Sequence, residues 1–371
     1  MLESVASQNV DFDKITKMLD EGKTPVVKFG IDPTSPHLHI GHLVPLFMLQ
    51  ELMLMGCHAV IVLGDLTAQI GDPSGLDKFR PTMSHAETKE NADKLVGQIS
   101  MFLHERDSHE FIFNSSIKPS LEELFSLTQK VSINSMLGRD HFSARHKKGD
   151  SISLLEMTCP VLQAWDSIQI RCDLEIGGND QLSNCVLARD LMEKSGVPKQ
   201  SILLFPILTG TDGHNKMSKS LNNHISLTHS PEDVFGRTMS IPDNLIAEWS
   251  KLLFLETVVL DNPVKQKEKL AHRITALIHG VQKANEASEW FDKTFRKKQV
   301  EATDTFSIVS GASIVEAIVE AGLAKSKSEA KRLISGNGVR INGDLAQETD
   351  LIKSSCILQK GKRTAVNITI A

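Results

Sequence analysis

The chain of 371 residues contains no tyrosine at all, against 15 phenylalanines and three tryptophans, an oddity that any assignment of function has to accommodate. Cysteine is also sparse. Cys57, Cys159, Cys172, Cys185 and Cys356 are scattered without a C-x-x-C spacing, which argues against a zinc ribbon and a disulfide framework and makes a reducing cytoplasm the simplest setting. No segment strings together the roughly eighteen uncharged apolar residues that a membrane helix needs. The N-terminal MLESVASQNVDFDK has no basic stretch followed by an apolar run, so neither export nor a membrane span is expected. Basic charge is not in excess either: with a net charge of −5, a polyanionic partner has to be held by a local basic surface.

What is present is ordinary globular composition, 40% hydrophobic and 23% charged, long enough for two or three domains. TPVVKFGID (24–32) reads as a buried strand, followed by a Pro-rich loop, a long apolar helix starting near Ile40, and a second strand, HAVIVLGD. The same strand-then-helix order returns in DLEIGG and DQLSNCVLARDLMEKSG, whose helix is expected to stop at Gly196 with Pro198 beyond it. This alternation predicts an α/β fold with a parallel sheet. From about Ser230 to Phe295 only helical periodicity appears. Two short helices and the VRINGD turn signal at Asn342-Gly343 then predict a small α+β module at the C-terminus.

Lys325, Lys327, Lys331, Arg332, Arg340, Lys353, Lys360, Lys362 and Arg363 crowd that module, against Glu329, Asp344, Glu348 and Asp350. A basic module on an acidic chain suggests nucleic acid, although a solvated helix face explains Lys325 to Arg332 equally well when taken alone.

Two motifs carry chemistry. DPTSPHLHIGH (32–42) gathers His37, His39 and His42 where the long helix begins. Gly41 permits close approach of backbone to a phosphate, and ring nitrogens together with free backbone N–H groups can meet an anion there. A metal site fits less well, because the spacing alone does not supply a full ligand set with a carboxylate or cysteine in the right geometry, and purely structural histidines remain the plain alternative. GTDGHNKMSKS (210–220) places Lys216 and Lys219 on a Gly-, Asn- and Ser-rich loop suited to bringing two ammonium groups onto a triphosphate as pyrophosphate leaves. A lone Lys-x-x-Lys is more often a solvated loop; paired with HIGH it is specific.

The pair matches the signatures of class I aminoacyl-tRNA synthetases, and the chain resembles bacterial tyrosyl-tRNA synthetases over nearly its whole length: FGIDPTSPHLHIGH, GDPSG, VLQAWD, GGNDQ and KMSKS, with a C-terminal module similar to the S4 RNA-binding domain. Other HxGH nucleotidyltransferases lack the lysine loop at this distance and the RNA-binding tail. The resemblance implies a Rossmann-like catalytic domain over 1–225 with a helical insertion around 78–162 that makes a homodimer contact, an α-helical anticodon-side domain over 226–300, and an S4-like domain over 301–371. It implies activation of an amino acid by ATP, bound as its Mg2+ complex with no metal held by the protein, and transfer to tRNA(Tyr).

The same resemblance assigns roles. His39, His42 and Thr34 would act around the phosphates, Lys216 and Lys219 would clamp pyrophosphate, and Gly30, Asp32, Gly41, Gly178 and Asp180 would complete the ATP site, Asp180 at the ribose. Lys28, Asp72, Cys159, Gln163, Asp166 and Gln181 would form the amino-acid pocket, with Asp72, Cys159 and Gln163 at the ammonium and Asp166 at a phenol. Lys327, Lys331, Arg332 and Arg340 would contact tRNA phosphates.

Burying a carboxylate in an aromatic pocket is costly unless a donor meets it, so Asp166 argues for a hydroxylated ring; the plainer reading is an ordinary helix carboxylate beside Trp165. Cys159 departs from the family, which has a tyrosine there, and a thiol is a weak donor. Lys28 stands where many relatives have tyrosine, and Leu76 where many have a basic residue. Three readings follow: a tyrosine-tRNA ligase, the same chemistry on a tyrosine analogue or in a biosynthetic pathway, and a non-catalytic RNA-binding paralogue, which the intact HIGH and KMSKS weigh against. If tyrosine was purged from the whole chain, Cys159 is what remained, and the protein can be made when charged tRNA(Tyr) is scarce.

Overall fold

The computed structural model describes residues 2–70, 83–103, 108–258, 261–296, 304–361 and 364–370. The chain divides into two compact units, Met1–His229 with Ser240–Lys267, and Ser230–Met239 with Glu268–Ala371.

The first unit is built on a six-stranded sheet: β1 (Gln8–Val10), β2 (Val26–Ile31), β3 (His58–Leu63), β4 (His109–Phe113), β5 (Leu174–Gly178) and β6 (Ser201–Phe205), in the order β1-β6-β5-β2-β3-β4. All neighbours are parallel except β1, which runs antiparallel along β6. The inner strands are near-continuous apolar runs because both faces are covered; Ala59 to Leu63 are all buried, as is every residue of β6. Chain order reverses between β2 and β5, since β2 leads to β3 on one side while β5 leads to β6 on the other. In a sheet of this kind the crevice outside the carboxyl ends of those two strands is where ligands bind.

Helix Ile40–Leu54 is apolar around most of its circumference and buried accordingly. Helix Leu182–Lys194 ends just before the expected Gly196, whose φ of +73° lies in the left-handed region that favours glycine. The stretch 78–162 is not purely helical: β4 lies within it and pairs with β3. Five residues at a sheet edge, set among helices, leave little periodicity to recognise. Helix Leu245–Phe254 belongs to this first unit rather than to a separate helical layer, because Trp249 is wholly buried and donates from Nε1 to the Thr209 carbonyl at 3.0 Å, while Glu248 accepts from the Thr209 N–H at 2.9 Å.

The second unit contains helices Pro231–Met239 and Val281–Phe291, held with part of Pro263–His279 around Phe235, Ala271 and Ala287. Its other part is the expected small α+β module, with helices Ile314–Glu320 and Lys327–Ser335 on a five-stranded sheet closed by a parallel pair between Asp304–Ile308 and Thr364–Ile370. The Asn342-Gly343 turn forms as the dipeptide predicts, with both φ values positive, 49° and 96°.

Candidate active site

A cavity of about 170 Å³ opens at the carboxyl ends of β2 and β5, lined by Gly30 and Asp32 from one strand end and Gly177 and Gly178 from the other. Helix Leu154–Ile170 supplies another wall. Its residues Cys159, Gln163 and Asp166 are spaced by four and three, so all three reach the same face and the same cavity. The sequence expectation for these three positions therefore meets a real juxtaposition.

Beneath the cavity lies a buried polar network. The Lys28 ammonium sits 2.8 Å from Glu175 Oε1 and donates to the Gln163 carbonyl at 3.0 Å and to Ser167 Oγ at 2.7 Å. Three acceptors meet its three protons. Burial alone would lower the Lys28 pKa, but the Glu175 carboxylate outweighs it and holds the group up at about 12. Burial acts to raise Glu175 in turn, and Lys28 with the donors around it brings it below its ordinary value. Glu175 accepts from Gln163 Nε2 at 3.1 Å and from Gln200 Nε2.

Asp166, 5% exposed, is the second buried carboxylate. Burial pushes its pKa up to about 7, against the pull of Lys28 and of the Asn114 amide, whose Nδ2 lies 3.5 Å from Asp166 Oδ2. Asn114 Nδ2 also donates to Thr67 Oγ1 at 3.1 Å, and Thr67 Oγ1 donates to Asp32 Oδ1 at 2.7 Å. Asp166 and Asp32 are thus joined by a string of polar side chains running along the cavity. Gly64 makes room for it: a Cβ there would stand 1.9 Å from Asp32 Oδ1 and 2.3 Å from Thr67 Oγ1.

The histidine motif is an N-cap. His39 has extended backbone angles, its Nδ1 accepts from the Gly41 N–H at 3.2 Å, and its own N–H donates to His42 Nδ1 at 3.1 Å. An accepting Nδ1 puts the His39 ring proton on Nε2, while His42 Nδ1 lies 3.1 Å from the His39 N–H and 3.2 Å from the His39 carbonyl, the first contact fitting the Nε2–H tautomer and the second the Nδ1–H one. Burial lowers the pKa of both, His42 to about 4, with the Lys219 charge adding to the effect. The space left by Gly41 is taken up by the cap itself, since a Cβ would meet His39 Nδ1 at 3.0 Å.

The lysine loop is closed by its own side chains. Asn223, 3% exposed, donates from Nδ2 to Asp212 Oδ2 at 3.0 Å and to the Lys216 carbonyl at 3.1 Å, and accepts from the Ser218 N–H at 2.8 Å. Hydrogen bonds from Asn215 and its neighbours hold the Asp212 carboxyl well below the usual carboxylate range. Beyond the loop, residues 38–40 and 225–227 bond to each other through Ile40 N–H to Ile225 O and Leu227 N–H to Leu38 O, both 3.0 Å, which ties the two motifs together. Lys219 reaches Ser35 Oγ at 2.5 Å and the His37 carbonyl; Lys216 is half-buried on the same loop.

The Thr34 N–H bonds the Asp32 carbonyl at 2.8 Å, which places Thr34 on the turn before the cap. A Cβ on Gly178 would lie 2.9 Å from Asp180 Oδ1, so the glycine lets that carboxylate approach the strand end. Gln181 lines the cavity and accepts from Asn184 Nδ2 at 3.0 Å. Asp72 and Leu76 fall outside the described residues. Lys327, Lys331, Arg332 and Arg340 lie in the second unit, where Lys327 pairs with Glu316 at 2.8 Å, Lys331 pairs with Glu348, and Arg340 bonds the Gly343 carbonyl at 2.8 Å. Among the described residues, no group of three or more His, Cys, Asp or Glu is placed to hold a metal ion, and no helix is long and apolar enough to cross a membrane. Glu175, Asn114, Thr67, Gly64 and Asn223 were not singled out from sequence. Only a charged Glu inside the apolar run DLEIGG marked one of them in advance.

Comparison with known proteins agrees with this geometry. The family described as tRNA synthetases class I (W and Y) matches residues 20–296, and the tyrosine-tRNA ligase SYY-like C-terminal domain matches residues 295–365. The tyrosine-tRNA ligase of Thermotoga maritima is 38% identical over 92% of this chain and 90% of its own length; that of Dehalococcoides mccartyi is 37% identical over 94% and 92%. Among solved structures, a C-terminally truncated mitochondrial tyrosyl-tRNA synthetase of Aspergillus nidulans superposes with a TM-score of 0.64 at 22% identity, covering 79% of this chain and 92% of that one. The Archaeoglobus fulgidus tyrosyl-tRNA synthetase in complex with L-tyrosine gives 0.63 at 20% identity, with 77% and 97% covered. At those identities the structures speak for the shared fold, while the sequence matches speak for descent: this chain belongs to the class I tRNA synthetases of the tryptophan and tyrosine group, within the tyrosine-tRNA ligase family.

Proposed function

We propose that the chain activates tyrosine with ATP and transfers it to tRNA(Tyr). The observation that carries the substrate is Asp166, a buried carboxylate that lines the cavity at the carboxyl ends of β2 and β5. A phenol would donate to Asp166; phenylalanine would leave it without that partner, which sites of this kind reject strongly. In the first step a carboxylate oxygen of tyrosine attacks the α-phosphorus of ATP, an O–P bond forms, and pyrophosphate leaves. His39 and His42 would donate from Nε2 to the phosphate oxygens where charge grows, and Lys216 and Lys219 would neutralise the leaving pyrophosphate, with Thr34 nearby. Such contacts strengthen as charge develops and act on rate more than on ground-state binding. Gly30, Asp32, Gly41, Gly178 and Asp180 complete the nucleotide site in this reading. Lys28, Asp72, Cys159, Gln163 and Gln181 frame the amino acid. In the second step a terminal ribose hydroxyl of tRNA attacks the acyl carbon and AMP departs.

Mg2+ would enter with ATP, as part of the substrate. The second unit would hold tRNA phosphates through Lys327, Lys331, Arg332 and Arg340, as an S4-like domain does, with the helices around 226–300 on the anticodon side. A homodimer formed through 78–162 is supported by the exposed apolar side chains of Leu121, Phe125, Ile133, Leu154 and Leu155 in that stretch. The cytoplasm is the compartment where these substrates meet.

Cys159 supports a second reading, in which the same chemistry serves a tyrosine analogue, because a small buried thiol replaces a phenol at the pocket wall. Amino-acid-dependent ATP-pyrophosphate exchange on the purified protein decides between them, with tyrosine, phenylalanine, tryptophan and hydroxylated or methylated tyrosines run side by side. Exchange strongest with tyrosine supports the proposal, exchange strongest with an analogue supports the second reading, and no exchange with any of them rejects both.

A further inference from the structure

Glu175 lines the floor of the cavity, together with Lys28, and takes no part in the roles assigned so far. It is 2% exposed, and its polar partners include buried or half-buried side chains of the same unit: Lys28 at 2.8 Å, Gln163 Nε2 at 3.1 Å, Ser167 Oγ at 3.4 Å, Gln200 Nε2 and the Cys185 thiol. An ionised carboxylate only accepts hydrogen bonds, so the edge of the Gln163 amide turned toward it must be the NH₂ edge. The two ends of a planar amide cannot both face one acceptor. With Nε2 committed to Glu175, the Gln163 Oε1 is left as the acceptor end at the wall of the cavity that Gln163 lines.

We infer that Glu175 is a positioning residue for amino-acid recognition: it fixes the Gln163 side-chain amide so that Oε1, an acceptor, meets the ammonium group of the substrate. The inference rests on the proposed function and adds to it the determinant of one polar contact. Lys28 is the second half of the device. It cancels the charge that would otherwise be stranded beneath the pocket, and it bonds the Gln163 carbonyl, so the backbone and the side chain of Gln163 are both held from below by one ion pair. Lys28 thus works on the substrate through Gln163, its own three protons being spent on Glu175, Ser167 and Gln163. Gln200 plays the corresponding part on the far side, with its Nε2 on Glu175 and its Oε1 accepting from the Cys172 thiol at 2.8 Å, so Glu175 itself cannot swing away.

The test is a double-mutant cycle on ATP-pyrophosphate exchange. E175Q removes the acceptor-only edge and frees the Gln163 amide to turn over. Because it also leaves Lys28 buried without its counter-ion, K28M/E175Q is measured beside it, with thermal unfolding to verify that each variant is folded. The expected result is a KM for tyrosine raised about 10- to 100-fold, the range for losing one hydrogen bond to a charged group, with kcat and the KM for ATP changed little. In a protein that already carries Q163L, K28M/E175Q should raise the KM for tyrosine no further, since the residue through which it acts is gone. Equal effects of K28M/E175Q with and without Q163L, or a KM for tyrosine unchanged in a folded K28M/E175Q protein, would overturn the inference while leaving the proposed function standing. Absence of tyrosine-dependent exchange in the unmutated protein would overturn both.

Discussion

Lys219 and Ser35 are 184 residues apart in the chain, yet the ammonium of one donates to the hydroxyl of the other at 2.5 Å. The cation is thereby parked beside the histidine cap on neutral acceptors, which the oxyanions of a triphosphate would outcompete because opposite charges then add to the hydrogen bond. Burial lowers the Lys219 pKa to about 8. For a base, a lowered pKa means that the charged form is present below that value and lost above it. Activation should therefore show kcat/KM for ATP falling as pH rises through about 8. K219R should remove that limb, since guanidinium does not deprotonate in this range. K219A should lower the exchange kcat by about 100- to 1,000-fold, the usual loss for one preorganised donor to a developing charge. A flat pH profile in the unmutated protein would separate Lys219 from the charge-bearing step.

Asp166 carries the opposite sign. It is an acid whose pKa burial raises to about 7, so it is protonated below that value and ionised above it. The ionised carboxylate is the stronger acceptor for a phenol, so kcat/KM for tyrosine should climb as pH rises through about 7. D166N should abolish the climb. D166L should in addition reduce the preference for tyrosine over phenylalanine by at least about 100-fold, because the buried acceptor that penalises a missing hydroxyl is gone. Competition exchange assays with the two amino acids read this directly, and an unchanged preference would return Asp166 to the rank of an ordinary helix carboxylate.

Gly64 tests the polar string. Its missing side chain is where Asp32 Oδ1 and Thr67 Oγ1 come together, and a Cβ at 1.9 Å from the first cannot be accommodated without displacing one or both of those side chains. G64A should cost about 1–3 kcal/mol of stability as an overpacked core position. It should lower kcat/KM for ATP and for tyrosine together, since the string reaches from Asp32 to Asp166. Denaturant unfolding and exchange kinetics on the same preparation separate the two effects.

How much of this was legible in the sequence depended on range. The histidine cap lies within four residues of chain and the lysine loop within eleven, so each reads as a short motif that becomes specific when the two are paired, while Cys159, Gln163 and Asp166, which the family resemblance singles out, share one helix face for the same local reason. Glu175, Asn114, Thr67 and Asn223 act through partners 12, 52, 35 and 11 residues away, some of them on neighbouring strands. Apart from the charge of Glu175 inside an apolar run, nothing in a local window marks such residues, because their environment exists only once the sheet has formed. The strand β4 escaped for a related reason, since an edge strand of five residues is specified by its pairing with β3 more than by its own pattern. The place of Leu245–Phe254 in the first unit was equally hidden, being fixed by Trp249 and Glu248 reaching Thr209.

The basic residues of the C-terminal module are partly committed to acids: Lys327 to Glu316 and Lys331 to Glu348. Exposed pairs of this kind are worth little, about 0–1 kcal/mol, and yield readily to phosphate. K331E/R332E should weaken tRNA binding and flatten its salt dependence, by up to about one unit of slope for each phosphate that the helix no longer neutralises. Exchange in the absence of tRNA should be untouched, since neither residue lies in the unit that holds the cavity. Affinity that does not change in a filter-binding salt series would remove this helix from the tRNA surface.

The absence of tyrosine acquires a meaning once the chain is read as the enzyme that charges tRNA(Tyr). Ribosomes making any tyrosine-containing protein stall when that charged tRNA runs out, and an ordinary synthetase would be among the proteins lost, so its own shortage would deepen. A message with no tyrosine codon escapes that loop. At the cavity, Cys159 and Lys28 stand where relatives have tyrosine. In cells starved of tyrosine, pulse labelling should show synthesis of this protein continuing while bulk synthesis falls. Substituting tyrosine for an exposed residue of the second unit, as in V309Y, should make its synthesis fall with the rest while leaving exchange activity unchanged. Equal decline of the tyrosine-free and the tyrosine-bearing forms would show that composition gives no protection.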